Sequence, residues 1–201
     1  LCGVRGGELE CDKSYGDGWT SVLLDPTIDY TVYHKVVSST LHLRLMGRTT
    51  GYLGFGFGEP TSGHMKGSDI VTAYVEGTTV HLHDRYADFA GTDDSGYSYP
   101  GLWAKEDVRN DWTLVSGYEV DGLTHIYATR PLTTGDAQDR SVGVGPTRVI
   151  WAWGSSDAVV YHGYQRGPQI FTFVEPPANT VPSGIPSGLP EHDGVITKRF
   201  A

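Results

Sequence analysis

From Trp19 to Val174 hydrophobic and polar residues alternate in short runs, and no apolar pattern of helical spacing is sustained over successive turns. The alternation is plainest at Thr40–Leu45, where Leu41, Leu43 and Leu45 share one face of an extended chain. Comparable runs predict strands at Ile28–Val37, Tyr52–Phe57, Asp69–Val75, Thr79–Tyr86, Trp112–Val120, Thr124–Arg130, Arg148–Trp153 and Ile170–Val174. Gly, Pro, Asp and Ser punctuate them. Asp121-Gly122 between two such runs predicts a two-residue hairpin, because a type I′ turn needs positive φ at both central residues. About nine to eleven short strands without helices predict an all-β fold, an antiparallel β-sandwich.

The ends of the chain break this pattern. Residues 1–16 form a Gly-rich segment holding both cysteines, Cys2 and Cys11, and residues 17–174 are the sandwich. The cysteines are close enough to close a small loop, so an intramolecular disulfide is expected, with free thiols or pairing to another chain as the alternatives. A disulfide implies an oxidising, extracellular setting, and the abrupt Leu1-Cys2 start resembles a chain whose signal has been removed. Residues 175–201 turn to Pro, Gly and Ser, which build neither ladder nor helix and so predict a tail, a tether or a strap to a neighbouring subunit.

Composition narrows the function. A chain of 201 residues can bury roughly 70% of its unfolded surface, so one core suffices without a metal or disulfide staple. Fifteen Lys+Arg against 24 Asp+Glu, a net charge of −9, leave no basic stripe for nucleic acid. No apolar run reaches the ~18 residues of a membrane helix. Nucleophile elbows and phosphate loops are absent, as is a Cys-x-x-Cys-His attachment run, so any haem is non-covalent.

Two Gly-bounded turns carry metal-ligand side chains. One is His64-Met65-Lys66-Gly67, in which Met65 stands in a polar loop, an odd place for a core gap-filler; a thioether there can ligate haem iron or copper(I). The other is Tyr161-His162-Gly163-Tyr164-Gln165-Arg166. His81 and His83, two apart on a predicted strand, face the same way, but spacing supplies no third ligand and they read as solvent-face histidines. Asp93-Asp94 and Asp136–Asp139 offer oxygen ligands for calcium without the usual loop spacing, and read as solvated turns.

The order of these motifs resembles the DOMON domain family. The likeness runs from the glycine-rich strand Gly51–Gly58 through Met65-Lys66-Gly67-Ser68-Asp69-Ile70-Val71 and Asp84-Arg85-Tyr86-Ala87 to Asp111-Trp112. It continues through Asp121-Gly122-Leu123, Thr129-Arg130-Pro131, Asp136–Asp139, Val149–Gly154 and His162. The resemblance implies an immunoglobulin-like β-sandwich in a secreted or cell-surface setting. It also implies, as in some members, a b-type haem held between a methionine and a histidine at the positions of Met65 and His162. With both axial positions filled, the expected task is one-electron transfer to a redox partner rather than catalysis. Phe57, Trp151 and neighbouring aromatics are expected as haem lining or as core, and Arg166 as a propionate partner. The alternatives are a haem-free module binding carbohydrate or protein, with Tyr97, Tyr99 and Trp103 as stacking surface, and a structural subunit that assembles through the N-terminal segment and the Pro-rich tail.

Overall fold

The computed structural model describes residues 18–61, 65–87 and 104–177 with their side chains, and the backbone also at 2–5 and 8–11. Tyr97, Tyr99, Trp103, Asp93, Asp94, His64 and the tail beyond 177 lie outside the described residues, as do the side chains of Cys2 and Cys11. A short hairpin pairs β1 (Cys2–Arg5) with β2 (Glu8–Cys11), a pairing that the sequence reading did not expect, and its register sets Cys2 opposite Cys11.

Eleven further strands form two antiparallel sheets. The first holds β3 (Thr20–Asp25), β4 (Tyr30–Val37), β5 (Thr40–Gly47), β10 (Thr113–Val120) and β11 (Leu123–Pro131), in the order β10-β11-β5-β4-β3. The second holds β6 (Leu53–Phe57), β7 (Asp69–Glu76), β8 (Thr79–Tyr86), β9 (Lys105–Glu106), β12 (Pro146–Trp153) and β13 (Arg166–Thr172), in the order β13-β12-β6-β7-β8-β9. This is the expected sandwich. Strand β13 begins at Arg166 rather than near Ile170, since Trp151 pairs with Gly167 and Ala152 with Arg166. The Asp121-Gly122 hairpin forms with φ of 51° and 72°, joining Val120 to Leu123 across the expected two-residue turn.

The period-two pattern has its usual consequence, since one face of each sheet turns inward. Leu41, Leu43 and Leu45 of β5 meet Leu53, Phe55 and Phe57 of β6, with Val71, Ala73, Val149, Phe171 and Phe173 alongside. Aromatic rings dominate one end of this core. Phe57 stacks on Trp112 at 6.3 Å, and His34 lies 5.3 and 4.8 Å from Phe171 and Phe173. Tyr30 reaches across from the first sheet and donates its hydroxyl to Gly54 O at 2.9 Å.

Candidate functional site

Because Leu53, Phe55 and Phe57 point into the core, the outward side of β6 carries only glycine, at Gly54 and Gly56. A Cβ on Gly56 would stand 2.9 Å from Ile70 and 3.3 Å from Ile150, and one on Gly54 would stand 3.8 Å from the Thr72 methyl. Gly58 continues the strip beneath Ile150. The middle of the second sheet is thus a backbone-floored strip walled by β7 and β12.

The Met65 and His162 turns leave this sheet at opposite ends of β6. Met65 is half-buried in a turn closed by Ser68 N donating to its carbonyl at 3.0 Å, and Gly67 N donates to Ala87 O at 3.0 Å. That turn runs straight into Asp69, which pairs with Phe57, the last residue of β6. His162 stands at the other end. Its carbonyl accepts from Gln165 N at 3.0 Å, Gln165 O accepts from Trp153 N at 3.1 Å, and Trp153 pairs with Leu53, the first residue of β6. The Tyr52 hydroxyl donates to Val160 O at 3.0 Å and fastens the same loop. The length of β6 that separates the two anchor points is about 13 Å.

The electrostatics of the histidine suit ligation. Burial pushes the His162 pKa down from the ordinary imidazole value and the Arg166 cation pushes the same way, while a hydrogen bond with Gly163 O opposes both. The ring is therefore neutral near pH 7, the form that binds metals. Arg166 is exposed, with its guanidinium 5.9 Å from the centre of the Tyr161 ring. Phe57 and Trp151, expected as lining or as core, are core: Phe57 is buried against Trp112, and Trp151 turns inward against Tyr30 at 6.2 Å. Their strand positions alternate with the outward ones, so neither faces the glycine strip.

His81 and His83 share a face of β8, as expected, and their rings stack 6.2 Å apart beside Tyr74. Each has an acidic neighbour: His81 lies 3.5 Å from Glu76 and His83 2.7 Å from Glu106. Among the described residues, the group of His, Cys, Asp or Glu side chains close enough to share an ion is instead Asp69, Asp84 and Asp139.

That group surrounds Arg130, a residue that sequence reasoning did not single out chemically. Its side chain is completely buried, with Nη2 2.8 Å from Asp69 Oδ2 and 3.3 Å from Asp139 Oδ2, and it lies 4.9 Å from the Phe57 ring centre and 5.6 Å from that of Trp112. The signal was present in the alternation. Ile126, Ala128 and Arg130 fall two apart on β11, so a core-facing strand must carry the charge inward.

A sandwich of two antiparallel sheets, with the Met65 and His162 loops at opposite ends of β6, defines an all-β class, and comparison with known proteins narrows it. The DOMON domain family matches residues 26–154, and the chain belongs to that family. It is 33% identical over 175 residues to DBH-like monooxygenase protein 1 of Homo sapiens, and 32% identical over 158 residues to the protein of that name from Gallus gallus. These alignments cover 85% and 77% of this chain but only 26% and 24% of those proteins. Among solved structures, the cytochrome b domain of pyranose dehydrogenase from Coprinopsis cinerea shares the fold, with a TM-score of 0.58 and 16% identity over 77% of this chain and 81% of that one. The cytochrome domain of Myriococcum thermophilum cellobiose dehydrogenase matches with a TM-score of 0.56, at 16% identity over 77% and 82% of the two chains. No helix among the described residues is long and apolar enough to cross a membrane.

Proposed function

We propose that this DOMON domain binds a b-type haem non-covalently through Met65 and His162, and that it serves as an extracellular one-electron carrier rather than as a catalyst. The observation that carries this reading is that a half-buried thioether and a neutral imidazole stand in loops that lead into the two ends of one backbone-floored strand, so that Met65 and His162 would supply a sulfur and a nitrogen ligand to haem iron. The donor set suits the group. A thioether paired with an imidazole favours ferrous iron and raises the potential relative to two histidines. When bound, haem would supply reversible one-electron chemistry, with Met65 and His162 as the two side chains that would hold its iron.

The chain's own residues have plain tasks in this reading. Burial keeps His162 neutral and therefore ready to ligate. The tie from Tyr52 to Val160 holds the histidine loop, and the turn hydrogen bonds of Ser68 and Gly67 hold the methionine loop, so both ligands are presented by a rigid sheet. Arg166 supplies an exposed cation for a propionate at the histidine end. The redox partner is a further domain or a separate protein, in keeping with relatives of which this chain spans about a quarter.

Absorption spectra of the purified protein, oxidised and dithionite-reduced, with and without added hemin, test the reading. The expected result is a six-coordinate low-spin b-type spectrum. Met65→Ala and His162→Ala should each convert it to a high-spin or five-coordinate form while leaving the β-sheet circular dichroism unchanged. A colourless protein that refuses hemin overturns the proposal and leaves a haem-free module that recognises a protein or carbohydrate.

A further inference from the structure

Asp69 opens β7, Asp84 lies on β8 opposite Val71, and Asp139 comes from the loop between β11 and β12. Asp69 alternates with Val71 and Ala73 on the core side, so two sheet carboxylates and one loop carboxylate meet at the end of the sandwich interior. Each offers a ligand atom, and these atoms lie within 4.8 Å of one another. Oxygens bound to a single calcium ion at 2.3–2.6 Å are spaced no farther apart than about 5 Å.

The cluster holds more acceptor capacity than its donors use. Asp69 Oδ2 accepts from Arg130 Nη2 and from Arg140 N, both at 2.8 Å, yet Asp69 Oδ1 is buried with no hydrogen bond. Asp84 Oδ2 accepts from Asp111 N at 2.8 Å, and Asp84 Oδ1 likewise has no hydrogen bond. Asp139 Oδ2 lies 3.3 Å from Arg130 Nη2 without forming a hydrogen bond. Asp69 and Asp84 are 1% and 2% exposed, so bulk solvent does not reach these oxygens. A buried carboxylate oxygen without a donor is costly, and three carboxylates facing one guanidinium are short of two positive charges when ionised.

We propose that Asp69, Asp84 and Asp139 form a buried cation site of calcium type, in which a divalent oxygen-seeking ion binds the free carboxylate oxygens beside Arg130. The ion supplies the two charges that the cluster lacks and takes Asp69 Oδ1 and Asp84 Oδ1 as ligands. Calcium suits the set better than magnesium, because all-carboxylate cages of flexible geometry favour the larger ion and magnesium sheds its water reluctantly. A zinc site would call for nitrogen or sulfur ligands, which the group lacks. Asp69 also follows the Met65 turn directly, and Arg140, whose N–H binds Asp69, donates its Nε to Gly67 O at 2.6 Å. A bound ion would therefore brace that turn whether or not haem is present. The site is independent of the haem reading.

The test uses the whole 201-residue chain freed of metal with EGTA. Its thermal unfolding is followed against calcium chloride, with magnesium chloride and sodium chloride at matched ionic strength as comparators. Calcium should raise the midpoint saturably by about 5 °C or more, magnesium less and sodium not at all. Asp84→Asn preserves shape and should need at least tenfold more calcium for the same rise above its own metal-free midpoint. Terbium luminescence sensitised by Trp112 and displaced by calcium gives a second readout, in which Asp139→Asn should also weaken binding. A midpoint unmoved by calcium beyond the sodium control overturns the proposal. So does a preference for magnesium, or a calcium response in Asp84→Asn equal to that of the wild type.

Discussion

His34 shows what burial does to a single residue. It sits on β4 at 4% exposure, its ring facing Phe171 and Phe173, and burial drives its pKa from 6.5 down to about 4. Between those two values the unfolded chain binds a proton that the folded chain refuses, so the slope of stability with pH is positive there. Above pH 6.5 the histidine is neutral in both states and folding carries no penalty. As pH falls through the window, the loss grows to ~3 kcal/mol from this side chain. His34→Leu keeps the aromatic contacts apolar and should flatten that part of the profile. Urea unfolding at pH 7 and pH 4.5 checks it, and an unchanged difference between the two pH values would refute the assignment. His125 is depressed to about 4 by burial and by the nearby Arg44 cation, so part of the acid sensitivity should survive in the variant.

Among the elements, β6 does the most with the least side-chain mass. Its inward residues build the core and its outward glycines let β7 and β12 close over it. The strand also needs bare backbone at its entrance. A Cβ on Gly51 would stand 2.2 Å from Ser156 N and 2.5 Å from Gly154 O, both backbone atoms that cannot swing aside. Gly51→Ala should therefore push away the loop that leads to His162 and cost about 1–3 kcal/mol. Gly143→Ala, where nothing lies within 4 Å, should change stability by less than about 0.5 kcal/mol. Guanidinium titrations of the two variants make the comparison, and equal losses would contradict it. This element was largely legible beforehand, because its alternation of glycine with Leu53, Phe55 and Phe57 is a period-two pattern. The early start of β13 was not legible. Pro168 and the polar Arg166 and Gln169 hide its register, which is set by pairing with β12.

At the scale of the whole molecule, the two sheets are tied by more than hydrophobic contact. Arg130 belongs to β11 of the first sheet, while its ion-pair partner Asp69 belongs to β7 of the second. A buried ion pair adds little net stability when made but is expensive to break, since removing one partner strands the other charge. Arg130→Met retains the apolar stem against Phe57 and Trp112 and leaves Asp69 and Asp139 unpaired. In EGTA it should lose about 3–5 kcal/mol by urea unfolding, and a loss below about 1 kcal/mol would show that the pair does not clamp the sheets.

Local pattern alone decided a good deal about this chain. Alternation defined the strands and their inward faces, glycine and aspartate defined the turns, and the motif order resembled the DOMON family to which the chain belongs. These properties depend on neighbours a few residues apart, within reach of a period-two reading. The tertiary structure decided which distant residues meet. It set the Met65 and His162 turns at opposite ends of β6, turned Phe57 and Trp151 into core, and gathered Asp69, Asp84, Asp139 and Arg130 from four separate segments. No local rule brings together residues some seventy positions apart. Strand order and sheet stacking do so, because burying the inward faces of both sheets fixes which ends and which charges are brought together.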